Sequence, residues 1–128
     1  IIASGAESLN QTVELAEDMD AFTVVAVIDD LAYKANTTIL VHSGYITGIV
    51  ANGGVAGSTV GLITDGSIEN PAWSWTTNTG NRLWASTDGL MVEQPNFAHE
   101  FMQEIGTITT ATKITIDVQE PTIIDFTL

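Results

Sequence analysis

The chain has 128 residues, which is the length of one domain with its own hydrophobic core. It contains no cysteine, which excludes disulfide scaffolds, thiolate metal sites and a cysteine nucleophile. Three basic residues stand against 16 acidic ones, for a net charge of −13. Nucleic acid, phosphorylated substrates and anionic membranes all need Lys or Arg, so the charge disfavours them as partners.

The first 21 residues form an acidic segment that differs from the rest of the chain. Its acidic residues, with no basic residue among them, are Glu7, Glu14, Glu17, Asp18 and Asp20. Residues 12–16 fit a short helical turn capped by Thr12, and an extended arm at the terminus is the alternative. We therefore expect residues 1–21 to form an arm or a short helix, and residues 22–128 to form the β domain.

From residue 22 onward, short runs of β-branched and aromatic residues alternate with turn residues. The runs are residues 22–28, 38–42, 45–50, 58–64, 72–76, 82–86, 90–92, 101–109, 112–118 and 122–126. Runs spaced by about 8–12 residues are typical of an all-β sandwich or barrel. We expect one antiparallel β-sandwich or barrel of about eight to ten short strands. The longest apolar run, residues 22–28, is too short to cross a membrane, which takes about 20 residues in a helix.

Turn residues between the runs predict tight hairpins. The pairs Asn52-Gly53, Asp65-Gly66 and Asp88-Gly89 accept the positive φ that a type I′ turn needs at both central positions. Asp29-Asp30 is the only adjacent carboxylate pair of the β region, and we expect a solvated turn there rather than a calcium site. Gly106 interrupts the alternation of residues 101–109, which predicts a β-bulge.

The residues that catalysis uses lack a recognisable arrangement. His42 is followed by Ser43, but adjacent residues on a strand point to opposite faces. His99 lies beside Glu100, and we expect both histidines to make local hydrogen bonds. The glycines of residues 53–57 have no P-loop lysine. We expect no enzymatic activity, no cofactor and no metal site.

The three tryptophans are the candidate binding residues. Trp73 and Trp75 are two positions apart and share one face of the strand predicted over residues 72–76. A hairpin through residues 78–80 brings Trp84 near them. Such a platform stacks a sugar ring or a partner side chain, and the alternative is a core or subunit-interface cluster, because each ring buries about 150–250 Å².

Short strand and turn motifs follow one another between residues 42 and 117. They are residues 42–48, 57–66, 79–91, 94–95, 103–108 and 114–117. Together they resemble a β-rich module of tailed-bacteriophage virion proteins, such as fibre, collar or baseplate subunits and capsid decoration proteins. Trp84 stands where that module more often has Tyr.

The resemblance implies a non-enzymatic structural protein located in the virion. It implies a homo-oligomer, with a trimer favoured, that contacts other virion proteins. The charge of the chain separately leads us to expect no nucleic-acid and no membrane partner. The composition agrees, because 45% of the residues are hydrophobic and only 15% are charged, against about 25% in an average protein. A carbohydrate- or receptor-binding β module that uses the three tryptophans is the alternative.

The acidic arm has a role in this interpretation. We expect it to hook onto a neighbouring subunit by adding a strand or by passing between subunits. The residues expected to make this contact are Glu7, Leu9, Val13 and Leu15.

Overall fold

The computed structural model describes residues 11–76 and 81–124, which form an all-β structure without an α-helix. A 3₁₀ turn, Leu40–His42, lies between the third and fourth strands. The strands are β1 (Gln11–Leu15), β2 (Val24–Ile28), β3 (Leu31–Lys34), β4 (Ile46–Val50), β5 (Thr59–Ile63), β6 (Asp65–Glu69), β7 (Arg82–Ala85), β8 (Met91–Val92), β9 (Phe101–Met102), β10 (Glu104–Thr110), β11 (Lys113–Asp117) and β12 (Thr122–Ile123). The all-β fold class is confirmed, with more strands than expected.

Strands β1 to β5 close into a small barrel in the order β1-β3-β2-β4-β5, with β5 pairing back to β1. Strands β1 and β3 are parallel, whereas the other pairs of the described residues are antiparallel. The expectation of a purely antiparallel sheet is therefore wrong for β1 and β3. The intervening strand β2 runs in the opposite direction, so β1 and β3 point the same way when they become neighbours. The barrel interior holds a cluster of buried apolar side chains that includes Val25 and Leu62.

The second sheet has the order β6-β11-β10-β7-β8 and packs against the outside of the barrel. Strand β2 is buried on both faces, because Val25 points into the barrel while Val24 and Ala26 join the core between barrel and sheet. Strands β9 and β12 form a separate two-stranded ladder. The strand spacing predicted a sandwich or a barrel, and strands β1 to β5 form a barrel.

The bulge predicted at Gly106 is confirmed. The pairing of β10 with β7 shifts register between Glu104 and Gly106. A Cβ atom at Gly106 would collide with the carbonyl oxygen of Thr115 on β11. Only glycine therefore lets the two strands approach this closely.

Of the three predicted type I′ pairs, Asp88-Gly89 alone has positive φ at both positions, and the solvated turn expected at Asp29-Asp30 is present. Asp29 and Asp30 have φ of 53° and 68° in the two-residue connection from β2 to β3, and Asp88 and Gly89 have φ of 54° and 73°. Residues 52–53 lack positive φ, because the loop after β4 pairs instead with the chain near Met19. The pair at 65–66 lies within β6, since β5 continues almost directly into that strand.

The segment predicted as an arm or short helix contributes a strand to the barrel. Strand β1 pairs with β5 from Gln11 to Glu14. Val13 and Leu15 point into the barrel and are 7% and 1% exposed. Both side chains are enclosed by their own chain, so the prediction that they contact a neighbouring subunit is wrong. Glu7 and Leu9 lie outside the described residues.

Candidate functional site

A groove lies where three segments of the described residues meet, and we call it the aromatic groove. These segments are residues 18–23 before β2, residues 70–75 after β6, and residues 88–91 between β7 and β8. The groove has a volume of about 760 Å³ and is open to solvent. Since these segments are distant in sequence, the groove exists only because the barrel and the sheet pack together.

A row of three aromatic rings lines the aromatic groove. The ring centroids of Phe22 and Trp73 are 5.2 Å apart at 59°, and those of Trp73 and Trp75 are 5.8 Å apart at 49°. These tilted contacts are within the range that aromatic pairs prefer. All three side chains are half-buried and pack on the core between barrel and sheet. Each indole therefore has one part fixed by the core and another part open.

Phe22 joins the row through an uncommon backbone conformation. Its φ is 67°, a left-handed value that is rare for a bulky residue. The Phe22 amide donates a hydrogen bond to the Val50 carbonyl at 2.7 Å, and the ring contacts Trp73. Sequence reasoning missed Phe22, since a residue in a hydrophobic run gives no signal of positive φ.

The prediction of a strand over residues 72–76 is wrong, although it did place two tryptophans together. The Asn70 side chain accepts a hydrogen bond from the Ala72 amide, and the Asn70 carbonyl accepts one from the Trp73 amide at 2.9 Å. These bonds form a turn at Pro71 in place of a ladder. The Trp75 amide then donates to Ala111, so the segment crosses the end of the sheet.

Trp84 does not join the other two tryptophans. Leu83 and Ala85 of β7 point into the core, so Trp84 faces the opposite side of the sheet. There it lines a separate groove of about 570 Å³ with Phe97 and Met102. The expected three-tryptophan platform is therefore not assembled, and the hairpin residues 78–80 lie outside the described residues.

Carboxylates surround the aromatic groove. Asp18, Asp20 and Asp88 line it and are exposed, and Lys34 is the one basic residue among its lining residues. The ion pair found in the described residues lies elsewhere, between Arg82 and Glu104 at 3.5 Å. Three carboxylates against one basic side chain, that of Lys34, leave the groove with an excess of negative charge.

Hydrogen bonds fix two of the segments that carry the carboxylates around the groove, those of Asp18 and Asp88. Oδ1 of Asp18 accepts a hydrogen bond from the Ala56 amide at 2.8 Å. The turn that carries Asp88 is held from both sides, because Val24 donates to the Gly89 carbonyl and the Gly89 amide donates to Ala35, each at 2.8 Å. This turn is thus built on backbone bonds to β2 and to the residue after β3.

A second candidate surface is formed by residues 39–45, which we call the apolar loop. Its exposed apolar side chains are Ile39, Leu40, Val41 and Tyr45, which are 41%, 49%, 63% and 47% exposed. Sequence reasoning predicted a strand at 38–42, which is wrong because these residues form the 3₁₀ turn. The consecutive apolar residues gave no signal against a strand, because a run of this kind is also typical of a buried strand such as β2.

Both histidines hold loops near this surface. Nδ1 of His42 accepts a hydrogen bond from the Asn36 amide at 3.1 Å, which closes the apolar loop. Burial lowers the pKa of His42, and the nearby Glu17 carboxylate opposes this shift. His99 is hydrogen-bonded through Nδ1 to the Thr37 hydroxyl at 2.6 Å. Each histidine therefore takes part in a structural contact.

No group of three or more His, Asp or Glu side chains within residues 11–76 and 81–124 is placed to hold a metal ion. The same residues contain no helix long and apolar enough to cross a membrane.

No family model matches the chain, and a comparison with curated proteins finds no match. The aromatic groove and the apolar loop are the candidate binding surfaces of the described residues.

Proposed function

We propose that this protein is a non-enzymatic structural subunit of a tailed-bacteriophage virion, and that it acts through contacts with copies of itself and with other virion proteins. The observation that carries the proposal is the apolar loop. Three consecutive large aliphatic side chains are exposed there, with Tyr45 close by in sequence. Contiguous exposed apolar patches of this kind mark protein–protein contact sites.

Burial of the apolar loop against a neighbour is energetically favourable. Removal of apolar surface from water contributes roughly 25 cal/mol per Å². No acidic or basic residue occurs between Asn36 and Tyr45 apart from His42, which is buried. Docking of this loop therefore desolvates little charge. The hydrogen bond from Asn36 to His42 fixes its shape in advance, which lowers the entropic cost of association.

The assignment to a virion rests on the resemblance of residues 42–117 to the phage module and on the all-β fold, which is the fold that the resemblance implies. The polar side chains that line the sheet surfaces include many threonines, which pack against protein at lower cost than charged residues. The proposed assembly is a closed homo-oligomer, with a trimer favoured.

The oligomeric state tests the proposal. The molar mass of the wild type is measured by size-exclusion chromatography with light scattering, beside Val41→Asp in the apolar loop. Val55→Asp is the matched control, because Val55 is 62% exposed and Val41 is 63% exposed. We expect an oligomeric wild type, a monomeric Val41→Asp and an oligomeric Val55→Asp. A monomeric wild type, or equal masses for the two variants, would contradict the proposal.

A further inference from the structure

We propose that the aromatic groove binds a lysine or arginine side chain from a basic segment of a different protein. This inference goes beyond the proposed function, because it names the chemistry of a second partner. It also holds whether or not the chain associates with itself. Its evidence is the row of aromatic rings, the charge around it and the composition of the chain.

The rings supply the first part of the site. A cation within about 6 Å of an aromatic ring centroid is attracted by the electron-rich face, and tryptophan gives the strongest attraction. Trp73 and Trp75 line the groove and are each partly open to it. The contact of Phe22 with Trp73 and the packing on the core hold the rings before a ligand arrives. A cation therefore meets a surface that needs no rearrangement.

The carboxylates supply the second part. Asp18, Asp20 and Asp88 lie around the rings, and Lys34 alone opposes them. The whole chain adds a net charge of −13. Opposite charges steer a basic partner toward the groove and suppress acidic partners. An alkylammonium or guanidinium group with an apolar stem matches both the rings and the carboxylates.

The composition of the chain makes a second copy a poor occupant. The chain has only three basic residues, Lys34, Arg82 and Lys113. Lys34 lines the groove itself, and Arg82 is ion-paired with Glu104. Lys113 lies in the ladder between β11 and β6, opposite Glu69. The occupant is therefore expected to be a different and basic protein.

Binding of a defined peptide tests the inference. The probe is an uncharged-ended peptide of alternating lysine and glycine, titrated into the full chain while tryptophan fluorescence and heat are recorded. The same peptide with acetylated lysines removes the charge and keeps the length. A neutral glucose hexasaccharide tests the groove as a sugar site. We expect saturable binding of the lysine peptide alone.

Two matched pairs of variants locate the binding site. Asp88→Asn and Asp30→Asn remove the same charge from hairpin turns in which both aspartates have positive φ, a conformation that Asn also accepts. Trp73→Leu and Trp84→Leu remove one half-buried indole each, from two separate grooves. We expect Asp88→Asn to weaken binding by about two- to fivefold and Trp73→Leu by about threefold or more, with the Asp30 and Trp84 variants unchanged.

The other outcomes overturn the inference. Equal weakening by Asp88→Asn and Asp30→Asn means general attraction to an acidic protein rather than a site. Equal affinity for the acetylated peptide excludes cation recognition. If the hexasaccharide binds, and if Trp73→Leu abolishes that binding while Asp88→Asn does not change it, the groove is a sugar site. Thermal unfolding of each variant, compared with its matched control, separates loss of binding from loss of folding.

Discussion

At the scale of single residues, glycines control how closely the strands approach. Gly106 on β10 faces the Thr115 carbonyl, and Gly48 on β4 faces the Ile63 carbonyl, in both cases with no space for a Cβ atom. The colliding atoms belong to the backbone, which cannot rotate away. A methyl group at either position therefore forces two strands apart.

Gly106→Ala is expected to lower the free energy of unfolding by about 1–3 kcal/mol, because it overpacks a buried strand pair and disturbs the bulge. Urea unfolding measures the change. Thr107→Ala at the next position of β10 is the control, since Thr107 is only half-buried, and a change below about 1 kcal/mol is expected. Equal stability of Gly106→Ala and the wild type would contradict the close approach.

His42 makes stability depend on pH. Burial lowers its pKa below the ordinary value of 6.5, and its Nδ1 must be unprotonated to accept the hydrogen bond from Asn36. Below pH 6.5 the unfolded chain binds a proton that the folded chain resists, so the free energy of unfolding falls as the pH falls. The full contribution is present above pH 6.5.

We expect His42→Gln to remove this part of the pH dependence. Urea unfolding at intervals from pH 8 to pH 5 compares the slope of stability against pH in the two proteins. The wild type should lose more stability than the variant on acidification below pH 6.5. Parallel curves would show that the ring is not held in its neutral form.

Residue-scale features were predictable where the chemistry is local. The turns at Asp29-Asp30 and Asp88-Gly89 and the bulge at Gly106 follow from residue types that accept unusual backbone conformations. The positive φ of Phe22 was not predictable. It depends on a hydrogen bond to Val50 and on contact with Trp73, and both partners are distant in sequence.

At the scale of elements, hydrophobic alternation predicted the strands that have a regular inner face. Strand β11 buries Ile114 and Ile116 and exposes Asp117, as its sequence indicates. Strands β1, β3 and β6 were missed because they carry polar, alanine or turn residues in their short runs. Their pairing is decided by neighbouring strands, which sequence patterns do not record.

The role of β1 is testable at this scale. Leu15 is 1% exposed inside the barrel, whereas Thr12 on the same strand is exposed. Leu15→Ala is expected to cost about 2–5 kcal/mol through loss of burial and a residual cavity, and Thr12→Ala no more than about 0.5 kcal/mol. Urea unfolding gives both values. Similar small effects for the two variants would mean that residues 11–15 are not a barrel strand.

At the scale of the whole molecule, neither candidate surface was predictable from the sequence. The aromatic groove combines segments around residues 20, 73 and 89, which meet only after the barrel packs on the sheet. Trp73 and Trp75 lie together as predicted, but in a turn rather than on one face of a strand. The place of Trp84 depended on the face of β7 that meets the core. The sequence analysis therefore named Trp73 and Trp75 of the aromatic row but not Phe22.

The two proposed interactions have opposite dependences on salt, because one joins like charges and the other joins opposite charges. Copies of a chain with a net charge of −13 repel each other, and salt screens this repulsion over a Debye length that falls from about 30 Å at 0.01 M to about 10 Å at 0.1 M. The contact through the apolar loop carries little charge of its own. Higher salt is therefore expected to favour self-association.

Binding of the lysine peptide is expected to weaken under the same change, since screening reduces its attraction to the carboxylates around the groove. Light scattering and peptide titration at 0.02 M and at 0.5 M sodium chloride measure the two effects on one preparation. Self-association that weakens with salt would show that ionic contacts, rather than the apolar loop, join the copies. Peptide binding that is independent of salt would show that the rings act without the aspartates.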